Sequence, residues 1–197
     1  MYAPHYSVAL AATPYARRAP LWALLTAAFL PDLVWIFLAR IGLEPADATN
    51  FFDDWSHSLL SVLVLATIFA LLFWRKGHAA VLAIWLVVFS HFVLDFPVHP
   101  KKIAAYPLAH LHIGSNAWIA WGSRPGWLGW DNDWWLQFCV LLIFLGIYAI
   151  GSLRHSRSQS LPRESSLWNG TPWKIVAASC LALIGLQLVT LAPCVGY

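Results

Sequence analysis

Long apolar runs broken by short polar or aromatic stretches set the pattern of this chain. The runs cover residues 21–43, 57–74, 79–98, 134–153 and 173–191. At a rise of about 1.5 Å per residue each is near the length needed to cross hydrocarbon as a helix. The pattern predicts an all-α, polytopic transmembrane helix bundle with about five spans, forming a single integral membrane domain over residues 1–197. Residues 1–20, with His5 and the Arg17-Arg18 pair, are predicted to be a short interfacial segment rather than a span. The first run begins directly behind Arg17-Arg18 at full spanning length, without a small-residue cleavage site, so a removable signal peptide is not expected.

Breaks in the runs carry as much information as the runs. Pro31-Asp32 interrupts the first, and a proline there removes a helix donor and disturbs the turn before it. The basic turn Arg75-Lys76-Gly77-His78 is short enough to make the second and third spans antiparallel neighbours. Pro97 and Pro100 close the third. A long loop at 101–133, rich in Trp, Gly and Pro, follows, and a Ser- and Arg-rich linker at 154–172 separates the last two spans.

Composition agrees with a membrane setting: 60% of the 197 residues are hydrophobic, 11% are charged, and 13 are Trp. The formal charge of +3 is too small to suggest a nucleic-acid partner. Its distribution is more telling. Arg17, Arg18, Arg75, Lys76, Arg154, Arg157 and Arg163 fall on one side of the expected topology, which the positive-inside rule makes cytoplasmic. The amino terminus is then inside and the carboxy terminus outside, in a bacterial inner membrane. The Lys101-Lys102 pair at the outer end of the third span is the exception. Cys139, Cys180 and Cys194 have no metal-ligand spacing, and they read as small core residues.

The polar positions inside the apolar runs supply the candidate chemistry. His91 and Asp95 lie one helical turn apart on one face, where they can share a metal ion or a proton. Ionisable groups are costly in hydrocarbon, so they point to a functional site. The expected topology brings His57, at the outer end of span two, to the depth of Asp95 and His99. Asp53, four residues before His57, forms a second carboxylate–imidazole pair if that helix starts early. Asp32 lies about 16 Å into the first span and should face the bundle interior. Two such pairs on antiparallel helices form a nitrogen and oxygen ligand set for Zn²⁺, Mn²⁺ or another divalent ion.

Each group also has an ordinary structural role open to it. Asp53 or Asp54 can cap the second span, His57 can be an interfacial histidine, and Asp32 can be a protonated structural carboxyl. His91 with Asp95 can be a proton relay or an interhelical hydrogen bond. His99 follows Pro97 and its direction is open, while His110 and His112 would point apart in an extended loop. His5, His78 and His155 look peripheral.

The order Leu30-Pro31-Asp32, Ser56-His57-Ser58-Leu59 and Ser90-His91-Phe92-Val93-Leu94-Asp95 resembles the YdjM-like family of predicted membrane-bound, metal-dependent hydrolases. The resemblance covers residues 1–100. It implies Asp32, His57, His91 and Asp95 as the metal-associated set, with His5 as a weaker match to an early family histidine. The family commonly carries His-Arg-Gly ahead of its Thr-His-Ser, whereas this chain has Phe52-Asp53-Asp54-Trp55. Asp53 is therefore a candidate replacement for a lost imidazole.

The expected function is hydrolysis of an ester or phosphoester in a lipid-like substrate, with metal ligands Asp32, His57, His91, Asp95 and His99 and with Asp53 or Asp95 as base. The lipid bilayer is the expected surrounding partner, and the pattern leaves room for a homo-oligomer. Rival readings are a proton- or ion-coupled transporter, and a non-catalytic membrane scaffold with a structural metal.

Overall fold

The structure, a computed structural model, describes residues 3–44, 54–97, 103–107, 112–113 and 131–158, together with Trp121, Arg124, Leu181 and Ile184. Seven helices account for most of this: α1 Ala3–Ala12, α2 Leu21–Ala28, α3 Leu30–Arg40, α4 Asp54–His57, α5 Leu59–Leu71, α6 His78–Asp95 and α7 Asn132–Ser158. Two-residue strands β1 (Ile103–Ala104) and β2 (His112–Ile113) pair antiparallel within the Trp-rich loop. Of the described helices, α6 and the Trp134–Arg154 part of α7 are each long and apolar enough to cross a bilayer. A third crossing results if α2 and α3 form one span, bent by 59°. The expected fifth span, apart from Leu181 and Ile184, lies outside the described residues.

Small residues hold these helices together. The main core cluster contains Ala9, Ala16, Ala19, Ala23, Ala27, Ala28, Ala66, Ala70 and Ala80, with Val62, Ile84, Val87 and Val88 filling between them. Large side chains point the other way. On α5, Leu60, Val64, Ile68 and Leu71 are exposed while Val62, Ala66 and Ala70 are buried, and α7 exposes Leu142, Ile143, Ile147 and Ile150. Alanine inside and large aliphatic residues outside is the arrangement that lipid permits, since hydrocarbon solvates Leu as well as a core does. Close approach shows again at Gly151 of α7, where an added Cβ would lie 3.0 Å from the Pro14 ring.

The sequence expectations need correction at several helices. The amino-terminal segment is a packed helix: α1 is buried at Ala3, Pro4, His5, Ser7, Val8, Ala9 and Ala11, and it packs on α2, α6 and α7. Span two does not run unbroken from His57. Ser58 turns the chain with φ −61° and ψ 152°, and its hydroxyl accepts from the Ser61 amide, so a serine rather than a carboxylate caps α5. The 13 residues of α5 reach about 20 Å, short of a bilayer's hydrocarbon. The spanning part of α7, Trp134–Arg154, matches the expected fourth span of 134–153, while the helix itself runs on to Ser158, into the expected linker. Cys139 is exposed rather than in the core.

The breaks at Pro31 and at Gly77 lie where the sequence places them. The first run breaks at Phe29, with Pro31 in the first turn of α3, where a missing amide costs nothing. Gly77, at φ 94°, takes the left-handed backbone needed between the 3₁₀ turn Trp74–Lys76 and α6. The antiparallel packing of α5 on α6 follows, tied by a Trp85 Nε1–H donated to Thr67 Oγ1 at 3.2 Å.

Candidate metal centre

Helix ends converge at one end of this packing: the start of α1, the bend between α2 and α3, the α4–α5 turn and the end of α6. The bend is the first cause. Carbonyls in the last turn of a helix have no intrahelical donor, and Ala28 is the last residue of α2. Its oxygen accepts from His91 Nδ1 at 2.9 Å. A carbonyl can only accept, so His91 carries a proton on Nδ1 and turns Nε2 toward the carboxylates.

That Nε2 is buried among carboxylates. His91 is fully buried, and Nε2 lies 3.1 Å from Asp95 Oδ2 and 3.7 Å from Asp32 Oδ1. A ring nitrogen so close to two carboxylates needs a proton or a metal ion between it and them.

His57 completes this arrangement. Its Nε2 lies 3.3 Å from Asp32 Oδ1, and its Nδ1 is 2.7 Å from the Ser56 hydroxyl. When Nδ1–H donates to Ser56, Nε2 is freed as a ligand atom, the usual outer support of a metal-bound imidazole. Asp32 reaches the same point from the first turn of α3, where the helix N-terminus favours a negative charge.

His5 stands behind Asp95. Its Nε2 is 3.2 Å from Asp95 Oδ1, and its ring stacks on His91 at 4.1 Å with 13° between the planes. The two oxygens of Asp95 are thus divided, Oδ1 to His5 and Oδ2 toward His91. Two sets could hold a metal ion, Asp32/His57/His91 and His5/His91/Asp95, with ligand atoms in each within 4.8 Å of one another. Both draw on His91. Its Nδ1 is committed to Ala28 and Nε2 has one lone pair, so the two sets describe one ion rather than two.

No family model, curated protein or solved structure matches this chain. What the centre can do follows from its own atoms.

Of the residues that the sequence singled out, Asp32, His57, His91 and Asp95 are brought together. Asp53, His99 and His110 lie outside the described residues, and the side chain of His112 does too. His5 is the first correction: far from peripheral, it is buried and touches Asp95 and His91. The only trace of it in the sequence was its weak match to an early family histidine.

Glu44 had no such signal. It is 1% exposed, and its Oε1 accepts from the amides of Trp55 at 2.8 Å and Ser56 at 3.0 Å. Burial pushes its carboxyl above the usual range, against the lowering effect of its hydrogen bonds to Ser56 and Trp55. By gripping the first amides of α4, Glu44 fixes the turn that carries His57.

Glu44→Ala is expected to cost about 1–3 kcal/mol, because a buried and a partly buried amide lose their acceptor. Metal affinity should fall about tenfold or more, as for loss of an outer support. Glu44→Gln retains an acceptor oxygen and should lose much less in both. Thermal unfolding and metal titration of the two variants check this. Equal losses in both would mean that the charge matters rather than the grip on α4.

Proposed function

We propose that this chain is an integral membrane metal-dependent hydrolase that cleaves an ester or phosphoester bond in a lipid-like substrate. The observation that carries the reading is His91 Nε2, a fully buried ring nitrogen set between Asp32 and Asp95, with His57 and His5 beside these carboxylates. Nitrogen and carboxylate donors suit zinc or manganese. For ligands at about 2.0–2.1 Å from a tetrahedral zinc, neighbouring donor atoms would be about 3.3 Å apart. The His57–Asp32 and His91–Asp32 separations of 3.3 and 3.7 Å are close to that value.

In this reading Asp32, His57 and His91 hold the ion. Three protein ligands leave a position open, as in catalytic zinc sites. When bound, such an ion acidifies a water and polarises the bond to be cut. Asp95, steadied by His5 through Oδ1, turns Oδ2 toward this position as the base that takes the proton. The exposed aliphatic faces of α5, α6 and α7 support a bilayer setting and hence a lipid-like substrate.

The reading keeps the likeness to the YdjM-like hydrolases. It also keeps a bacterial inner membrane crossed about five times, with the amino terminus in the cytoplasm and the carboxy terminus outside. Helices α2 and α3 are then one broken span. The α5 segment, too short by itself, crosses with the turns that flank it.

Metal analysis of purified protein, before and after chelation, tests the proposal. Roughly one zinc or manganese ion per chain is expected. Turnover on a panel of esters and phosphoesters should disappear on chelation and return when the ion is restored. Absence of an ion from the wild type would overturn the reading and leave Asp32, His91 and Asp95 as a proton relay. An ion without turnover across the panel would leave a scaffold with a structural metal.

A further inference from the structure

A cavity of about 230 Å³ adjoins the metal centre on the side of α7. Helix α1 packs against both α6 and α7 and holds them apart, so a cleft remains between the end of α6 and the first turns of α7. Its walls include Val93 of α6 with Leu136 and Val140 of α7, and its polar groups are His5, Asp95 and Gln137. Val93 is half exposed, so the cleft opens sideways, on the face where α6 and α7 present aliphatic side chains. His5 and Asp95 belong to the metal centre as well, so the cavity and the centre share a wall.

Two features point to an occupant. His5 is buried, and its Nδ1 has no hydrogen-bond partner although its Nε2 is taken up by Asp95. Gln137 is a buried amide on an otherwise apolar stretch of α7. Apolar walls with a few polar groups gathered at one end are the usual make-up of a small-molecule pocket. The volume lies below the roughly 300–1,000 Å³ of pockets that enclose a whole drug-sized ligand. The cleft therefore suits one slender arm of a larger molecule.

We propose that this cleft binds a single acyl chain of the substrate, entering sideways between α6 and α7, with its ester head held against Gln137, His5 and Asp95. The Gln137 amide donates to an ester oxygen, and the chain lies along Val93, Leu136 and Val140. This rests on the hydrolase reading for the position of the ester, but chain binding itself needs no metal. The substrate class is then a monoacyl ester that moves within the bilayer, rather than a water-soluble phosphoester.

The test uses full-length protein in lipid nanodiscs, stripped of metal by chelation, and a lysophosphatidylcholine carrying a photoactivatable diazirine in its acyl chain. Adducts mapped by mass spectrometry are expected to concentrate on peptides containing Val93, Leu136 and Val140. Val140→Trp fills the cleft, and adducts there should fall to the level of the scattered background. Val140→Phe is a milder filling that gives a graded loss should the larger side chain disturb folding, and metal uptake on reconstitution reports that the centre is intact.

Labelling spread evenly over outward residues such as Leu60, Ile68 and Leu86, and unchanged in both variants, would overturn the inference. Concentrated labelling without metal binding or turnover would sink the hydrolase reading and leave the acyl pocket standing. Metal binding and ester turnover with scattered labelling would do the reverse.

Discussion

His91→Asn is expected to abolish metal binding while leaving the protein folded. The asparagine amide nitrogen branches from the same carbon position as Nδ1, so it can still donate to the Ala28 carbonyl, which His91 holds at 2.9 Å. Nothing replaces Nε2. Removal of an outer support typically costs 10–100-fold in affinity, and loss of a direct ligand should exceed about a hundredfold. His91→Ala is the cruder variant, because it also leaves the Ala28 oxygen buried without a donor at about 1–3 kcal/mol. Metal content and thermal unfolding of the two variants separate the roles: neither should bind, and only His91→Ala should lose much stability. Full metal occupancy in His91→Asn would show that Nε2 is no ligand, and the centre would have to be reassigned around Asp32 and His57.

The parts legible in the sequence were those where one residue sets a local geometry. Pro31 announced the break in the first run, Gly77 and its basic neighbours announced the antiparallel α5–α6 pair, and the i, i+4 spacing put His91 and Asp95 on one face. From those features Asp32, His57, His91 and Asp95 could be gathered, because charges in apolar runs are costly unless they meet.

What stayed hidden depends on contacts between distant segments. His5 lies far from Asp95 in the chain and comes to it only because alanine-rich helices let α1 sink between α6 and α7. Alanine spacing does not say which helices meet. Glu44 reads as one acid among several in a polar connection, and its grip on the amides of α4 is set by the path of the chain after α3. The break at Ser58 was missed for another reason: Leu59 onward continues the apolar run, so hydropathy carries straight through a serine whose backbone is extended.

Asp95→Asn is the variant that decides between base and ligand. Asparagine keeps the shape of the side chain, and its oxygen can still accept from His5, which lies 3.2 Å from Asp95 Oδ1. The amide nitrogen then takes the place of Oδ2, beside His91 Nε2 at 3.1 Å, and cannot take up a proton. If Asp95 is the base, the ion stays bound and turnover falls by about 10²–10⁴, the usual share of general base catalysis. KM should move little, since the substitution leaves the ion in place. If Asp95 is instead a ligand, metal content falls together with activity, as in His91→Asn. His5→Ala divides the cases further: loss of the donor to Oδ1 should lower turnover by about 10–100-fold while the ion stays bound, since the base is less well aimed but still present. A variant Asp95→Asn with unchanged metal and unchanged turnover would remove Asp95 from the chemistry. The proton would then have to leave through Asp32, the remaining carboxylate near His91 Nε2 among the described residues.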